Sequence, residues 1–96
     1  MTDQLTALRL FVRLAHTGSF SQAAREQKLS QPTASRLIGD LEERLGVTLF
    51  TRTTRGVTLS QAGTEYLSHI QPILAALDEA DHAARGTGEL RGALRV

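Results

Sequence analysis

The 96-residue chain contains no cysteine. Neither a disulfide framework nor a thiolate zinc site can therefore form, and a reducing compartment such as the cytoplasm is expected. Long apolar runs are also absent, because no stretch approaches the roughly 18 residues that a transmembrane helix requires. The first residues lack the basic-then-apolar order of a signal peptide. We expect a soluble, untargeted protein.

Charge is distributed unevenly along the chain, although the net charge is only +1. Residues 1–59 carry eight basic and five acidic side chains, a net of +3, whereas residues 60–96 carry three and five, a net of −2. A basic front half suits an anionic partner bound at one end of the molecule. The length allows one small domain and excludes a second full one.

Helical periodicity and capping residues predict three helices in the first half of the chain. The first follows the cap residue Asp3, and the second is a short helix that begins after Ser19. The third begins after Ser30, places Pro32 in its first turn, and runs to Gly46, where a glycine commonly ends a helix. These three helices precede a segment of different periodicity.

Strand-like alternation follows the third helix. Val47 and Leu49, and then Val57 and Leu59, alternate with polar residues, which predicts two strands. The segment 51–56 between them contains two arginines and three threonines. We therefore predict a hairpin with a basic tip.

A long helix is predicted over residues 60–85, capped by Ser60 and bent, but not broken, at Pro72. About 24 helical residues would span about 36 Å, close to one turn of a DNA duplex. Its apolar residues recur at alternating steps of four and three, which favours pairing with a second copy; packing against the first helix or against a further domain is the alternative. The predicted dimerisation residues are Tyr66, Leu67, Ile70, Ile73, Leu74, Leu77, Ala80 and Ala84.

The order of elements predicts a mainly α fold, a winged helix-turn-helix of three helices and a two-stranded wing, followed by a long linker helix. The winged domain covers residues 1–59, with the helix-turn-helix at about 20–39. Residues 86–96 contain three glycines and end in a strand-like segment, which indicates a hinge and the start of a missing domain. The chain is expected to be part of a longer protein.

The third helix has one apolar face, formed by Ala34, Leu37, Ile38, Leu41 and Leu45, and an opposite face that is free to meet solvent or DNA. Its first half is polar and cationic, whereas acidic residues occupy its end. An arginine there can donate two hydrogen bonds to guanine, a glutamine can pair with adenine, and small apolar groups can meet a thymine methyl. The candidate DNA-binding residues are Gln31, Pro32, Thr33, Ser35 and Arg36 on this helix, Arg52 and Arg55 on the wing, and Ser19 and Ser21 at the second helix.

Several residues on this surface also have a purely structural interpretation. Arg36 could be a solvated surface arginine, and Ser19 could be only a helix cap. Gly39, on the open face, could allow close approach of DNA or could simply be tolerated. The joint occurrence of a polar, cationic helix start, a short preceding helix and a basic hairpin favours DNA binding over these alternatives.

Several segments resemble the N-terminal domain of LysR-type transcriptional regulators: Phe20 to Ala24, Gln31 to Ile38, Leu41 to Arg52, Thr58 to Ser60, and Ala62-Gly63. The resemblance runs over essentially the whole chain without insertions. It implies a cytoplasmic, nucleoid-associated regulator that binds a roughly palindromic operator in double-stranded DNA. It also implies a homodimer through the linker helix, with a dimer or a tetramer as the alternatives for the full-length protein, and a small-molecule effector bound only by the missing C-terminal domain.

An enzyme and a protein-interaction module are the alternative functions. An enzyme is disfavoured because His16, His69 and His82 lack cysteine or acidic companions at ligand spacing, and the late glycines do not match a dinucleotide-binding loop. No metal or cofactor is therefore expected. A protein-interaction module would use the long helix alone, yet it would have no need for a cationic third helix and an arginine-bearing wing.

Overall fold

The fold was analysed in a computed structural model that describes the backbone of residues 2–95 and the side chains of residues 4–86. Helices and strands follow the predicted order, and the mainly α winged helix-turn-helix is confirmed. The elements are α1 (Thr2–Thr17), α2 (Phe20–Glu26), α3 (Gln31–Leu45), β1 (Phe50–Thr53), β2 (Gly56–Leu59) and α4 (Gln61–Arg95). Within these residues, no helix has both the length and the apolar character needed to cross a membrane.

Three serines begin helices where the sequence predicts them. The hydroxyls of Ser19, Ser30 and Ser60 each accept a hydrogen bond from the backbone N–H three residues later, at 3.2, 3.2 and 3.0 Å. Such caps satisfy N–H groups that have no partner inside a helix. The prediction for Asp3 is wrong, because α1 already includes Thr2 and Asp3 therefore lies within its first turn.

The hydrophobic core is organised around α1. Leu10, Phe11 and Leu14 are completely buried, and the Phe11 ring lies 5.4 Å from the ring centre of Phe50 and 5.3 Å from that of Tyr66. Tilted and edge-on ring pairs at this distance are favourable. The inner face of α3 packs on the same core, as predicted, through the buried residues Ala34, Leu37, Ile38 and Leu41 and the partly buried Leu45.

The first strand of the hairpin begins later than predicted. Val47 is 43% exposed and lies outside β1, which pairs with β2 in antiparallel register from Phe50 opposite Leu59. The reason is a competing partner: the Glu42 carboxylate accepts hydrogen bonds from the backbone N–H groups of Leu49 (2.8 Å) and Phe50 (3.2 Å). The N–H groups at the start of β1 and just before it are therefore bonded to α3.

Leu49 also fixes the start of α4. Its side chain is completely buried, and its carbonyl accepts a hydrogen bond from the Ser60 N–H at 2.9 Å. Gly63 lies so close to this carbonyl that a Cβ atom there would overlap the oxygen and also crowd the Leu59 side chain. A glycine is therefore required at this crossing of α4 and the wing.

The predicted dimerisation residues of α4 divide between two environments. Ile70 and Leu74 are buried, and Tyr66 and Leu67 pack against the core, so this part of the set binds its own domain. A second group remains exposed, with Ile73 at 59% and Leu77 at 36%. This group, which we call the exposed strip, consists of Ile73, Leu77, Ala80 and Ala84.

Two polar contacts hold α4 against α1. The Arg9 guanidinium forms an ion pair with Asp78 at 2.9 Å, and the Gln71 amide lies 3.1 Å from the His16 ring nitrogen Nε2. Together with the buried side of α4, these contacts fix the direction in which α4 leaves the domain. Packing against the first helix, one of the alternatives open from the sequence, therefore occurs along this part of α4.

The predicted end of α4 at residue 85 is wrong. The helix continues through Pro72 without a break and through Gly86, Gly88 and Gly92 to Arg95, where the sequence predicts a hinge and the start of a strand. Each glycine costs a helix only about 1 kcal/mol relative to alanine, and the residues between include good helix formers such as glutamate, leucine and arginine. Because α4 is longer than the predicted 24 residues, its length no longer supports the comparison of about 36 Å with one turn of a DNA duplex.

An ion pair braces α1 against α2. Arg13 Nε donates to Glu26 Oε1 at 2.7 Å, and the Gln22 amide donates to Glu26 Oε2 at 3.3 Å. The hydrogen bond from Arg13 lowers the pKa of Glu26, and the same hydrogen bond and charge raise the pKa of Arg13. The pair therefore favours the charged form of Glu26 in the folded protein.

We expect Gly63→Ala to destabilise the domain by about 2 kcal/mol, because the added methyl group must displace backbone at the Leu49 carbonyl. Gly39→Ala is the matched control, because no atom lies within 4 Å of a Cβ built at that helical position. It should leave stability unchanged or raise it by up to about 1 kcal/mol. Urea unfolding followed by circular dichroism measures both values; equal effects would contradict the crowding at Gly63.

The Arg13–Glu26 pair predicts a pH dependence of stability. Because the pKa of Glu26 is lowered on folding, its contribution is complete above its unfolded value of about 4.3 and is lost as the pH falls through the lower folded value. Glu26→Gln should therefore lower the free energy of unfolding at pH 7, and the difference from wild type should shrink below about pH 4. In an Arg13→Gln background, the same substitution should show a clearly smaller pH dependence in urea titrations, because the hydrogen bond that contributes most to the lowered pKa of Glu26 is lost.

Candidate nucleic-acid interface

Five of the predicted site residues line one cleft. It has a volume of about 360 Å³ and lies between the start of α2, the start of α3 and the wing. The predicted residues around it are Ser19, Ser21, Gln31, Arg52 and Arg55. Side chains from three separate segments of the chain therefore meet on one side of the domain.

The start of α3 presents the remaining predicted residues beside this cleft. Gln31, Pro32 and Arg36 are exposed, whereas Thr33 and Ser35 are half-buried. The apolar face of α3 is fixed in the core, so the opposite face cannot rotate inward without exposing it. The polar first half of α3 is thus held facing outward.

Arg36 has a neighbour of opposite charge on its own helix. Its guanidinium Nη1 lies 3.5 Å from Asp40 Oδ2, and the two side chains are 60% and 63% exposed. An exposed pair of this kind contributes little to stability, commonly less than about 1 kcal/mol. Arg36 is therefore close to a carboxylate but not locked to it.

The two wing arginines occupy different positions. Arg52 lies within β1, where its guanidinium carbon is 4.6 Å from the centre of the Phe20 ring and its Nη2 donates to Ser35 Oγ at 3.4 Å. Arg55 lies in the two-residue turn between the strands, and its backbone N–H donates to Thr53 Oγ1 at 3.2 Å. Only Arg55 occupies the tip where the sequence predicts both.

The wing is held against the loop before α2. The Val57 N–H donates to the Gly18 carbonyl at 3.0 Å, and this carbonyl lies against Gly56 so closely that a Cβ atom there would overlap it. Gly56 also has a φ of 141°, which favours glycine. The hairpin therefore docks on the helix-turn-helix through backbone contacts as well as through Arg52.

Ser19 and Ser21 contact each other, with 3.1 Å between their hydroxyl oxygens. Ser19 also caps α2, so its predicted capping role is confirmed. A contact of either hydroxyl with a phosphate stays a prediction. Cap formation does not exclude that contact, because a hydroxyl group has one donor and two acceptor positions.

The acidic side chains of α3 lie toward its other end. Asp40 and Glu43 are exposed, and Glu42 is half-buried, with its carboxylate bound to the N–H groups that precede and begin β1. Cationic groups thus lie around the start of α3, whereas its second half carries three carboxylates and one arginine, Arg44. Only the first half suits an anionic partner.

Sequence reasoning did not identify Phe20 as part of this surface. Its helical spacing marks it as a core residue, and it is indeed 8% exposed, yet its ring also supports Arg52. Periodicity alone cannot reveal a contact made by a partly covered ring with a distant strand. Thr53, Thr54 and Gly56 complete the wing side of the cleft.

Comparisons with known proteins agree with this geometry. Residues 5–64 match the model of the family described as bacterial regulatory helix-turn-helix protein, lysR family. A transcriptional repressor of Pseudomonas aeruginosa is 40% identical over 95 residues, and the regulator CrgA of Neisseria meningitidis is 38% identical over 90 residues. These matches cover 98% and 93% of this chain but only 30% of each relative.

Solved structures give the same result. The DNA-binding domain of BenM in complex with benA site 1 DNA has a TM-score of 0.77 at 32% identity, covering 84% of this chain and 94% of that one. The corresponding complex of CbnR has a TM-score of 0.76 at 31% identity, covering 92% and 99%. The chain therefore belongs to the LysR family of bacterial helix-turn-helix regulators.

Proposed function

We propose that this chain is the DNA-binding segment of a LysR-type regulator and binds double-stranded DNA sequence-specifically. One observation carries the proposal: the cationic first half of α3 and the arginine-bearing wing lie on one exposed side of the domain, around a common cleft. An α-helix fits the major groove of B-DNA, and a wing beside it reaches the backbone or the minor groove. Two of the similar solved structures are complexes of DNA-binding domains with DNA.

We infer that the first half of α3 reads bases. In this arrangement Arg36 donates to guanine, Gln31 pairs with adenine, and the apolar parts of Pro32 and Thr33 meet a thymine methyl, with Ser35 beside them. The exposure of Gln31, Pro32 and Arg36 supports these roles. The contact with Asp40 is long and solvated, so Arg36 can exchange it for a base edge.

The wing and α2 hold the phosphate backbone in the proposed complex. Arg52 and Arg55 contact phosphates or the minor groove, and the hydroxyls of Ser19 and Ser21 contact phosphates. These contacts set the register of the protein on the duplex but do not distinguish bases. Their grouping around one cleft supports a shared role.

We further propose that two copies pair through the exposed strip of α4, with Tyr66 at its edge. Large apolar side chains that remain exposed on a helix, as Ile73 and Leu77 do, favour burial against a partner. Two heads related by twofold symmetry would bind a roughly palindromic operator. Leu67 packs against the core, and Ile70 and Leu74 are buried, so these three residues serve the pair indirectly by holding α4 on its own domain.

The rest of the regulator remains a proposal, because the chain spans about 30% of the length of these relatives. We propose an effector-binding domain in the remainder, assembly up to a tetramer, and action in the cytoplasm at the nucleoid. Similar proteins are a transcriptional repressor and a transcriptional regulator. This supports a DNA-binding function, and not an enzymatic one, for this chain; we propose that it needs no cofactor.

Arg36→Ala should weaken binding to the preferred duplex roughly tenfold and relax the sequence preference at one position of each half-site, because a base contact is lost. The preferred duplex is obtained by selection from a random pool, and affinity is measured by fluorescence anisotropy. Arg44→Ala is the matched control, since it removes the same charge from the last turn of α3. Equal losses in both variants, or the absence of any enriched sequence, would contradict base reading by α3.

Leu77→Asp should weaken dimerisation more than about 100-fold, because a carboxylate would be buried in the proposed interface. Sedimentation equilibrium measures the dissociation constant. Ser68→Asp places the same charge on another face of α4, where Ser68 is exposed, and should leave the dimer intact. A dimer that tolerates Leu77→Asp would show that the exposed strip is not the interface.

A further inference from the structure

The Arg52 guanidinium is held by two different segments of the domain. On one side its central carbon lies 4.6 Å from the centre of the Phe20 ring, at the start of α2. On another side its Nη2 donates to Ser35 Oγ of α3 at 3.4 Å. A single wing side chain therefore touches both helices of the helix-turn-helix.

Phe20 performs two tasks in this arrangement. Its side chain is 8% exposed and belongs to the core cluster, a task that another large apolar side chain such as leucine can perform in part. The aromatic ring adds a property that leucine lacks, because its negative face attracts a cation. The contact with Arg52 uses that property at the edge of the core.

The charge of Arg52 is not neutralised by the described part of the chain. Arg9, Arg13 and Arg36 each lie within ion-pair distance of a carboxylate, whereas no described carboxylate lies within 4.0 Å of Arg52. Stacking on a ring and one hydrogen bond to a hydroxyl leave the other guanidinium N–H groups free to bind an anion. The guanidinium is thus both oriented and available.

Orientation before binding has an energetic consequence. A free arginine side chain loses rotamer entropy when it is fixed on a phosphate, and this loss weakens binding. A guanidinium already restricted by Phe20 and Ser35 loses less. The contacts of Phe20 and Ser35 with Arg52 are therefore expected to increase the affinity for DNA, although these two residues need not contact the phosphate themselves.

We propose that Phe20 is a positioning residue for DNA binding: with Ser35, it holds the Arg52 guanidinium between wing and recognition helix, ready for one backbone phosphate. This inference rests on the proposed DNA-binding function. It assigns a role in DNA binding to Phe20, which is otherwise a core residue. It also separates the two wing arginines, because Arg55 lies in the turn and Arg52 on the Phe20 ring.

A double-mutant cycle tests the proposal, with the unselected random duplex pool as the probe because a phosphate contact does not depend on sequence. Arg52→Ala should weaken binding about fivefold. It should also reduce the slope of the logarithm of the binding constant against the logarithm of the salt concentration by about one per domain. Phe20→Leu should weaken binding about threefold with the salt dependence unchanged, since the charge remains. In the Arg52→Ala background, Phe20→Leu should cause no further loss.

If Phe20→Leu does not fold, substitutions of the two wing arginines by lysine test whether Phe20 positions Arg52. Arg52→Lys keeps the charge but loses the planar group that stacks on the ring, so it should lose most of the affinity that Arg52→Ala loses. Arg55→Lys is the matched control and should bind nearly as wild type, because the turn provides only charge. Thermal unfolding of each variant verifies that the domain is intact.

Two results would overturn the proposal while the DNA-binding function stands. One is an equal loss from Phe20→Leu with and without Arg52, which would make Phe20 a purely structural residue. The other is an Arg52→Lys variant that binds as well as wild type. If the wild-type chain fails to bind the duplex pool even at low salt, the proposed function fails, and this inference fails with it.

Discussion

The geometry of the domain depends on the backbone of Leu49. Its N–H is bound by the Glu42 carboxylate of α3, its carbonyl by the N–H of Ser60, and Gly63 of α4 rests against the same carbonyl. Because its side chain is completely buried, the residue cannot shift without opening the core. The helix α3, the wing and α4 therefore meet at this one residue.

The contacts at Leu49 determine which face of α4 is buried and which is exposed. One face of α4 lies on its own domain, with Ile70 and Leu74 buried, and an adjacent strip with Ile73 and Leu77 is exposed. The apolar surface of α4 is thus wider than a simple coiled-coil seam, and each part has its own partner. In the proposed dimer, the position of one α3 relative to the other follows from how the two strips meet.

Features decided locally could be predicted from sequence, and features decided by distant contacts could not. The serine caps and the inner face of α3 depend on neighbouring residues, so spacing was sufficient. Val47 looked like a strand residue because alternation cannot reveal that Glu42 binds the following N–H groups. The Phe20–Arg52 contact likewise joins residues far apart in sequence, and the glycines near the end of α4 suggested a hinge although the helix tolerates them.

The acidic second half of α3 also gives the helix a direction. Arg36 stands near the first turns, whereas Asp40 and Glu43 follow it on exposed positions, so the side-chain charge changes sign along the axis. A duplex attracts one end of such a helix and repels the other. In the proposed complex, the helix therefore enters a groove by its N-terminal end. Reversed or sideways insertion would be opposed by repulsion before any base is read, and this would restrict the encounters that a search along non-target DNA has to sample.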